Sequence, residues 1–203
     1  MIKLKELFAK FIAKELEADT LVITCGLPAS AKTWLAERMS RMKGYPCLQT
    51  DAIRLELLKG EDIFDEVVAA DMDKRTGVYD EMFSRADRIL EKGDGLILDA
   101  TFVTQSLRRQ AAAIAAKHDK KFVIVETYCV QEVALARIRG RSREGALSNA
   151  ITEQAYFNNR DIFEKVDLDD LKSTCPNISI MHLIVNTSED SPEDREIIAM
   201  HRR

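Results

Sequence analysis

Histidine, cysteine and tryptophan are scarce in this 203-residue chain, at three, four and one. The cysteines, Cys25, Cys47, Cys129 and Cys175, stand far apart, with no Cys-x-x-Cys pair and no histidine partner nearby. That spacing argues against a structural metal and against a disulfide framework, and it fits thiols kept in a reducing compartment. No apolar run approaches the ~20 residues a membrane-spanning helix needs. Met1 to Glu17 reads as an amphipathic helix whose lysines and glutamates interrupt any apolar core, so no signal peptide is expected and the expected location is the cytoplasm. Four prolines and eight glycines are dispersed, leaving no linker, repeat or low-complexity tract, so residues 1–203 are expected to form one domain. A net charge of −4 argues against a protein that coats nucleic acid non-specifically, although a nucleic-acid end in a local basic pocket stays open. Nothing resembles an aromatic stacking platform along a basic groove.

What is present begins at Leu21-Val-Ile-Thr-Cys25, an uncharged run that reads as a short buried strand. It runs into Gly26-Leu27-Pro28-Ala29-Ser30-Ala31-Lys32-Thr33, after which Trp34, Leu35, Met39 and Met42 continue a helix that Gly44 and Pro46 stop. A strand, a Gly-opened loop and Lys-Thr at a helix start form the layout of a phosphate-binding P-loop, the Walker A motif. Backbone N–H groups of residues 26–33 would cradle phosphate at a helix N-terminus. Lys32 would reach the β- and γ-phosphates, and the Thr33 hydroxyl would ligate Mg²⁺. One position departs from the pattern: Ala31 stands where Gly precedes the Lys. If the loop needs a positive φ there, a Cβ costs roughly 1–2 kcal/mol.

Further along, Cys47-Leu-Gln reads as a second strand delivering Thr50-Asp51 to its end, with a helix starting at Ala52. Residues 59–74 are acidic and weakly patterned, as an insertion or short helix would be. Helices are expected over 78–92, 105–118, 131–141, 152–166 and 192–201, and strands over 96–99, 122–129 and 178–185. Strands alternating with helices imply a three-layer α/β fold with a mostly parallel sheet, in which ligands bind at strand C-termini. Asp99 sits at such an end and has the shape of a Walker B acid that would hold Mg²⁺. Asp51 sits at another, with Arg54 one turn on. Asp51 suits a base that takes a proton from a hydroxyl attacking a γ-phosphate; alternatively it is a plain helix N-cap. Arg137, Arg139, Arg141 and Arg143 alternate ahead of a loop, which suits a lid over about 137–150 that closes on phosphates, with Arg137 and Arg141 the two chosen for that role. His118, His182 and His201 are assigned no role, and Trp34 is read as packing.

These stretches, together with Leu98-Asp99-Ala-Thr101-Phe102, Arg108-Arg109 and Ser148-Asn149-Ala150, resemble the P-loop kinases grouped with phage-type polynucleotide 5′-kinases and zeta toxins. The resemblance spans about residues 20–190. It implies a central P-loop strand, Asp51 as base, Arg54 and Thr101 in the acceptor pocket, and Arg108 or Arg109 near the acceptor. It also implies that Val185-Asn186-Thr187-Ser188 passes the adenine ring. Departures are Ala31 and Asn149, the latter where the group more often shows an acid. The expected activity is phosphoryl transfer from Mg-ATP to a hydroxyl, on a small molecule or a nucleic-acid 5′ end. The rival is an ATP-binding protein with a degenerate P-loop and no transfer.

Overall fold

The computed structural model describes residues 2–64, 68, 71–93, 95–142, 150–189, 191, 193 and 195–203. In chain order the elements are β1 (Ile2–Leu7), α1 (Phe8–Glu15), β2 (Thr20–Cys25), α2 (Lys32–Lys43), β3 (Cys47–Gln49), α3 (Thr50–Leu57), α4 (Met72–Leu90) and β4 (Leu96–Asp99). They continue as α5 (Gln105–Lys117), β5 (Lys121–Tyr128), α6 (Gln131–Arg139), α7 (Glu153–Asp161), α8 (Leu168–Thr174), β6 (Ile180–Asn186) and β7 (Glu196–Arg202). The strands form one sheet in the order β1-β7-β6-β5-β2-β4-β3. The run β6-β5-β2-β4-β3 is parallel, with β2, which feeds the loop at Gly26, in its middle.

Every residue of β2 is buried, and its side chains divide between two cores by the alternation of a pleated strand. Leu21, Ile23 and Cys25 join Leu96, Leu98, Phe122 and Ile124 beneath α4, α5 and α8. Val22 joins Ile97, Val123, Val125, Leu183 and Val185 on the opposite face, beneath α1 and α2. A sheet covered on both faces has only its strand ends free for ligands.

Two edges differ from the sequence reading. The expected helix over 1–17 starts only at Phe8; Ile2–Leu7 is a strand, antiparallel to β7. Ile2 and Leu4 alternate with Lys3 and Lys5, a period-2 pattern that overlaps the helical one, and pairing with β7 decides between them. The expected closing helix over 192–201 is instead β7, antiparallel to β6, where β-branched Ile197 and Ile198 suit an extended chain. His201 therefore lies in a strand, stacked on His182 at 5.6 Å, and His182 Nε2 meets Glu126 Oε2 at 2.7 Å.

Helix boundaries moved where capping outweighed apolar spacing. The helix expected from residue 78 begins at Met72, because the Asp71 carboxylate accepts from the Asp73 and Lys74 amides. The helix expected over 152–166 stops at Asp161, and Asp167 caps a separate α8 by accepting from the Asp169 and Asp170 amides. Part of the segment read as an insertion lies outside the described residues, as do Arg143 and Ser148-Asn149 of the expected lid.

Candidate active site

The loop after β2 is held by the protein on every side. The Gly26 amide donates to Thr101 O at 3.1 Å. Gly26 has φ +139°, and a Cβ there would lie 2.2 Å from Thr127 Oγ1, so the residue admits no side chain. The Ser30 hydroxyl donates to Leu27 O and meets Thr127 Oγ1, while Thr187 Oγ1 donates to Ser30 O at 3.0 Å. Ala29, a second positive-φ residue at φ 59°, packs on Ala134, Leu135 and Ile138 of α6. Ala31 adopts φ 62°, ψ 28° as the residue preceding α2, so the left-handed conformation anticipated for the missing glycine is present. Its cost, roughly 1–2 kcal/mol, is borne by this fold.

Lys32 is buried, and its Nζ donates to Leu27 O at 2.8 Å across the loop. Burial lowers its pKa, while Asp99 and Asp51 pull the other way. Asp99, 5% exposed, accepts from Thr24 Oγ1 at 2.8 Å and from the Thr33 hydroxyl. Burial raises its pKa against those hydrogen bonds and the Lys32 charge. Thr24, which holds the Asp99 carboxylate, was passed over in the sequence reading; its signal is a lone hydroxyl inside an apolar strand. Thr33 and Asp99 offer the hydroxyl and carboxylate oxygens that suit a hard, small cation sharing its remaining positions with water and phosphate. Among the described residues no group of three or more His, Cys, Asp or Glu gathers as a dedicated metal cage.

Asp51 is the second residue of α3, and Gln49 is the N-cap, so the plain capping role is not the one it plays. Its Oδ1 accepts from Arg54 Nη1 at 2.7 Å, the one-turn pair that the spacing implied. Pro28, Ala29, Ala31, Lys32, Thr33, Asp51, Arg54, Asp99, Thr101 and Arg141 all line a single cavity of about 920 Å³. Gly26, Leu27 and Ser30 support the same loop from behind. Thr101 Oγ1 lies 3.4 Å from the hydroxyl of Tyr79, which also accepts from the Phe102 amide.

The arginines part company. Arg141 donates to Ala150 O at 2.8 Å and faces the cavity; burial lowers its pKa while Asp51 opposes. Arg137 donates to Thr187 O at 2.8 Å and to Ala29 O at 3.4 Å, tying α6 to the P-loop and to the chain after β6. Arg139 pairs with Glu153. Asn186 ends β6, its Oδ1 accepting from the Ser188 amide. Arg108 and Arg109, expected near the acceptor, do not line the cavity. Arg108 is 0% exposed, donating to Glu164 O, Val103 O and Gln105 Oε1, with its guanidinium over Phe163. Arg109 pairs with Asp170 at 2.7 Å on the outside of α5. Trp34 packs under the Arg195 guanidinium, 4.3 Å from its ring centroid, away from the cavity lining.

A family model described as an AAA domain matches residues 21–164. The chain belongs to that family. The solved structures it resembles include a gluconokinase from Sinorhizobium meliloti 1021, at 15% identity and TM-score 0.58, covering 85% of each chain. A putative kinase from Chloroflexus aurantiacus matches at 21% identity and TM-score 0.56, over 70% of this chain and 78% of that one. Kti12 of Chaetomium thermophilum, solved with ADP-AlF3, matches at 19% identity and TM-score 0.55, over 72% and 81%. The fold is that of the P-loop kinases. An uncharacterized protein of Mycobacterium tuberculosis is 30% identical over 140 residues, 66% of this chain, and the match spans 28% of that longer protein. Among the described residues no helix is long and apolar enough to cross a membrane.

Proposed function

We propose that this protein is a kinase that transfers the γ-phosphoryl group of Mg-ATP to a hydroxyl on an acceptor. The observation that carries the reading is that Asp51 opens into the same cavity as Lys32, Thr33, Asp99 and Arg141, tethered by Arg54 at 2.7 Å. In this reading the amides of residues 26–33 and Lys32 hold the phosphates, and Thr33 and Asp99 hold the cation. A Mg²⁺ ion held there would neutralise part of the phosphate charge. Arg54 orients Asp51, which accepts the proton of the acceptor hydroxyl as that oxygen bonds to the γ-phosphorus and the bond to the bridging oxygen breaks, releasing ADP. Arg141, with Arg137 behind it, offsets negative charge on the phosphates, and Asn186 flanks the base. Arg54 and Thr101 contact the acceptor, and Arg108 serves from the core by fixing residues 103–105 and 164. Catalysis is mainly positioning and electrostatic stabilisation.

The strained Ala31 favours the rival, a nucleotide-binding module without transfer. Against it stands the joint presence of Asp51, Arg54, Asp99 and Arg141, which binding alone does not require. The first test is melting temperature with and without Mg-ATP, for the native chain and Lys32→Ala. A ligand at a hundredfold excess over its Kd stabilises the fold by about 2.7 kcal/mol. A shift of that order in the native chain, lost in the variant, is expected; no shift at millimolar Mg-ATP would sink the reading.

A further inference from the structure

The acceptor half of the cavity contains groups that phosphoryl transfer alone does not use. Arg75 stands on α4 one turn before Tyr79, so the two share a face, and both line the cavity. The acids around Arg75 are committed elsewhere: Asp71 caps α4, Glu61 pairs with Lys74, and Asp51 pairs with Arg54. Among the described residues Arg75 has no ion-pair partner, and the one hydrogen bond it donates is from its backbone to Asp71 O. Burial raises the pKa of the Tyr79 hydroxyl, while the charges of Arg75 and Arg54 both pull it down, so both guanidiniums act on the spot where Tyr79 meets Thr101. A cation facing a cavity without a counter-ion calls for an anion from the ligand.

The geometry points to an acceptor that is a small anionic hydroxyl-bearing molecule, its carboxylate or phosphate at Arg75 beside Tyr79 and Thr101 and a hydroxyl presented to Asp51. This rests on the kinase reading above. A cavity of about 920 Å³ lies within the range of small-molecule sites. Among the described residues its lining offers only Phe64 and Tyr79 as aromatic rings and includes the carboxylates of Asp51, Asp71 and Asp99, which disfavours a stacked, polyanionic strand.

The experiment measures ADP release from Mg-ATP with matched acceptors: D-gluconate against D-glucitol, glycerol 3-phosphate against glycerol, and a 5′-hydroxyl oligonucleotide. Native chain, Arg75→Gln and Arg75→Lys are compared, each checked for a native melting temperature. The expected result is a kcat/KM at least about tenfold higher for an anionic member than for its neutral counterpart, a difference worth ~1.4 kcal/mol. Arg75→Gln should raise KM for the anionic acceptor alone, Arg75→Lys should restore part of it, and the KM for Mg-ATP should not move. Which pair responds separates carboxylate from phosphate. Equal use of neutral acceptors or of the oligonucleotide, a preference that survives Arg75→Gln, or no anionic turnover in a chain still stabilised by Mg-ATP overturns the proposal. Loss of the Mg-ATP melting shift itself would instead remove the kinase reading beneath it.

Discussion

The two ends of the cavity are built on opposite plans. At the P-loop end nearly every polar group is already engaged with the protein: Lys32 with Leu27 O, Asp99 with Thr24 and Thr33, Ser30 with Leu27 and Thr127. On the side of Tyr79 and Thr101, Arg75 lacks a counter-ion among the described residues. A site whose groups are fixed in advance loses little freedom on binding and suits a ligand of constant shape, such as a triphosphate. Open valences hold a penalty that only a complementary ligand relieves, which makes them instruments of selection. Asp51 stands between the two plans, paired with Arg54 yet facing both.

Removing Asp51 is the sharpest way to separate the ends. Asp51→Asn keeps the size of the side chain and a hydrogen-bond acceptor for Arg54 but no longer takes a proton. Transfer to the acceptor should fall by roughly 10²–10⁴-fold, the usual contribution of a positioned base. The Mg-ATP melting shift should persist, since Lys32, Thr33 and Asp99 are untouched. A variant that transfers at the native rate would show that the proton leaves by another route.

Acidity probes the P-loop end alone. The raised pKa of Asp99 means the fold binds that proton more tightly than an unfolded chain does. Its contribution to stability is therefore present below the ordinary carboxylate range and is lost as pH rises through the raised value. Lys32 has the opposite shift, so its contribution is present at high pH and is lost as pH falls through its lowered value. Binding of Mg-ATP asks for both charges at once. Its melting shift should then pass through a maximum, losing up to about 1.4 kcal/mol per pH unit on the acid limb as Asp99 takes up its proton. In Asp99→Asn that acid limb should flatten, while the alkaline limb from Lys32 remains. A flat profile in the native chain would mean that neither group meets the phosphates or the cation.

The same contrast explains which parts could be read from sequence. The P-loop end is local: a strand, a glycine, a Lys-Thr pair and two acids at strand ends are each visible within a few residues, and the parallel-sheet rule brings them together. The edge strands are not local. Ile2–Leu7 fits both a helical and an alternating pattern, and only its pairing with β7, nearly two hundred residues away, selects the strand. Arg108 misled for a different reason. A guanidinium beside a motif suggests an anion, yet here it closes on the carbonyls of Val103 and Glu164, acceptors that no spacing rule reveals. Arg75 stands out only once α4 is seen to face the cavity.

Ala31 gives the finest test, because its strain lies within the pre-engaged end. Its left-handed conformation is imposed by protein contacts: Leu35 N donates to Ala31 O in the first turn of α2, and Ser30 beside it is clamped to Leu27, Thr127 and Thr187. Strain held that way belongs to the fold and is the same whether or not nucleotide is bound. Ala31→Gly should relieve roughly 1–2 kcal/mol of Cβ conflict, offset by about 0.5–1 kcal/mol of added unfolded-chain entropy. The net gain of about 0–1.5 kcal/mol should raise the melting temperature by no more than about 6 °C for a chain of this size. The further increment from Mg-ATP should be unchanged. An increment that grows in Ala31→Gly would mean instead that nucleotide forces the loop into this conformation, and that alanine at this position weakens binding rather than stability.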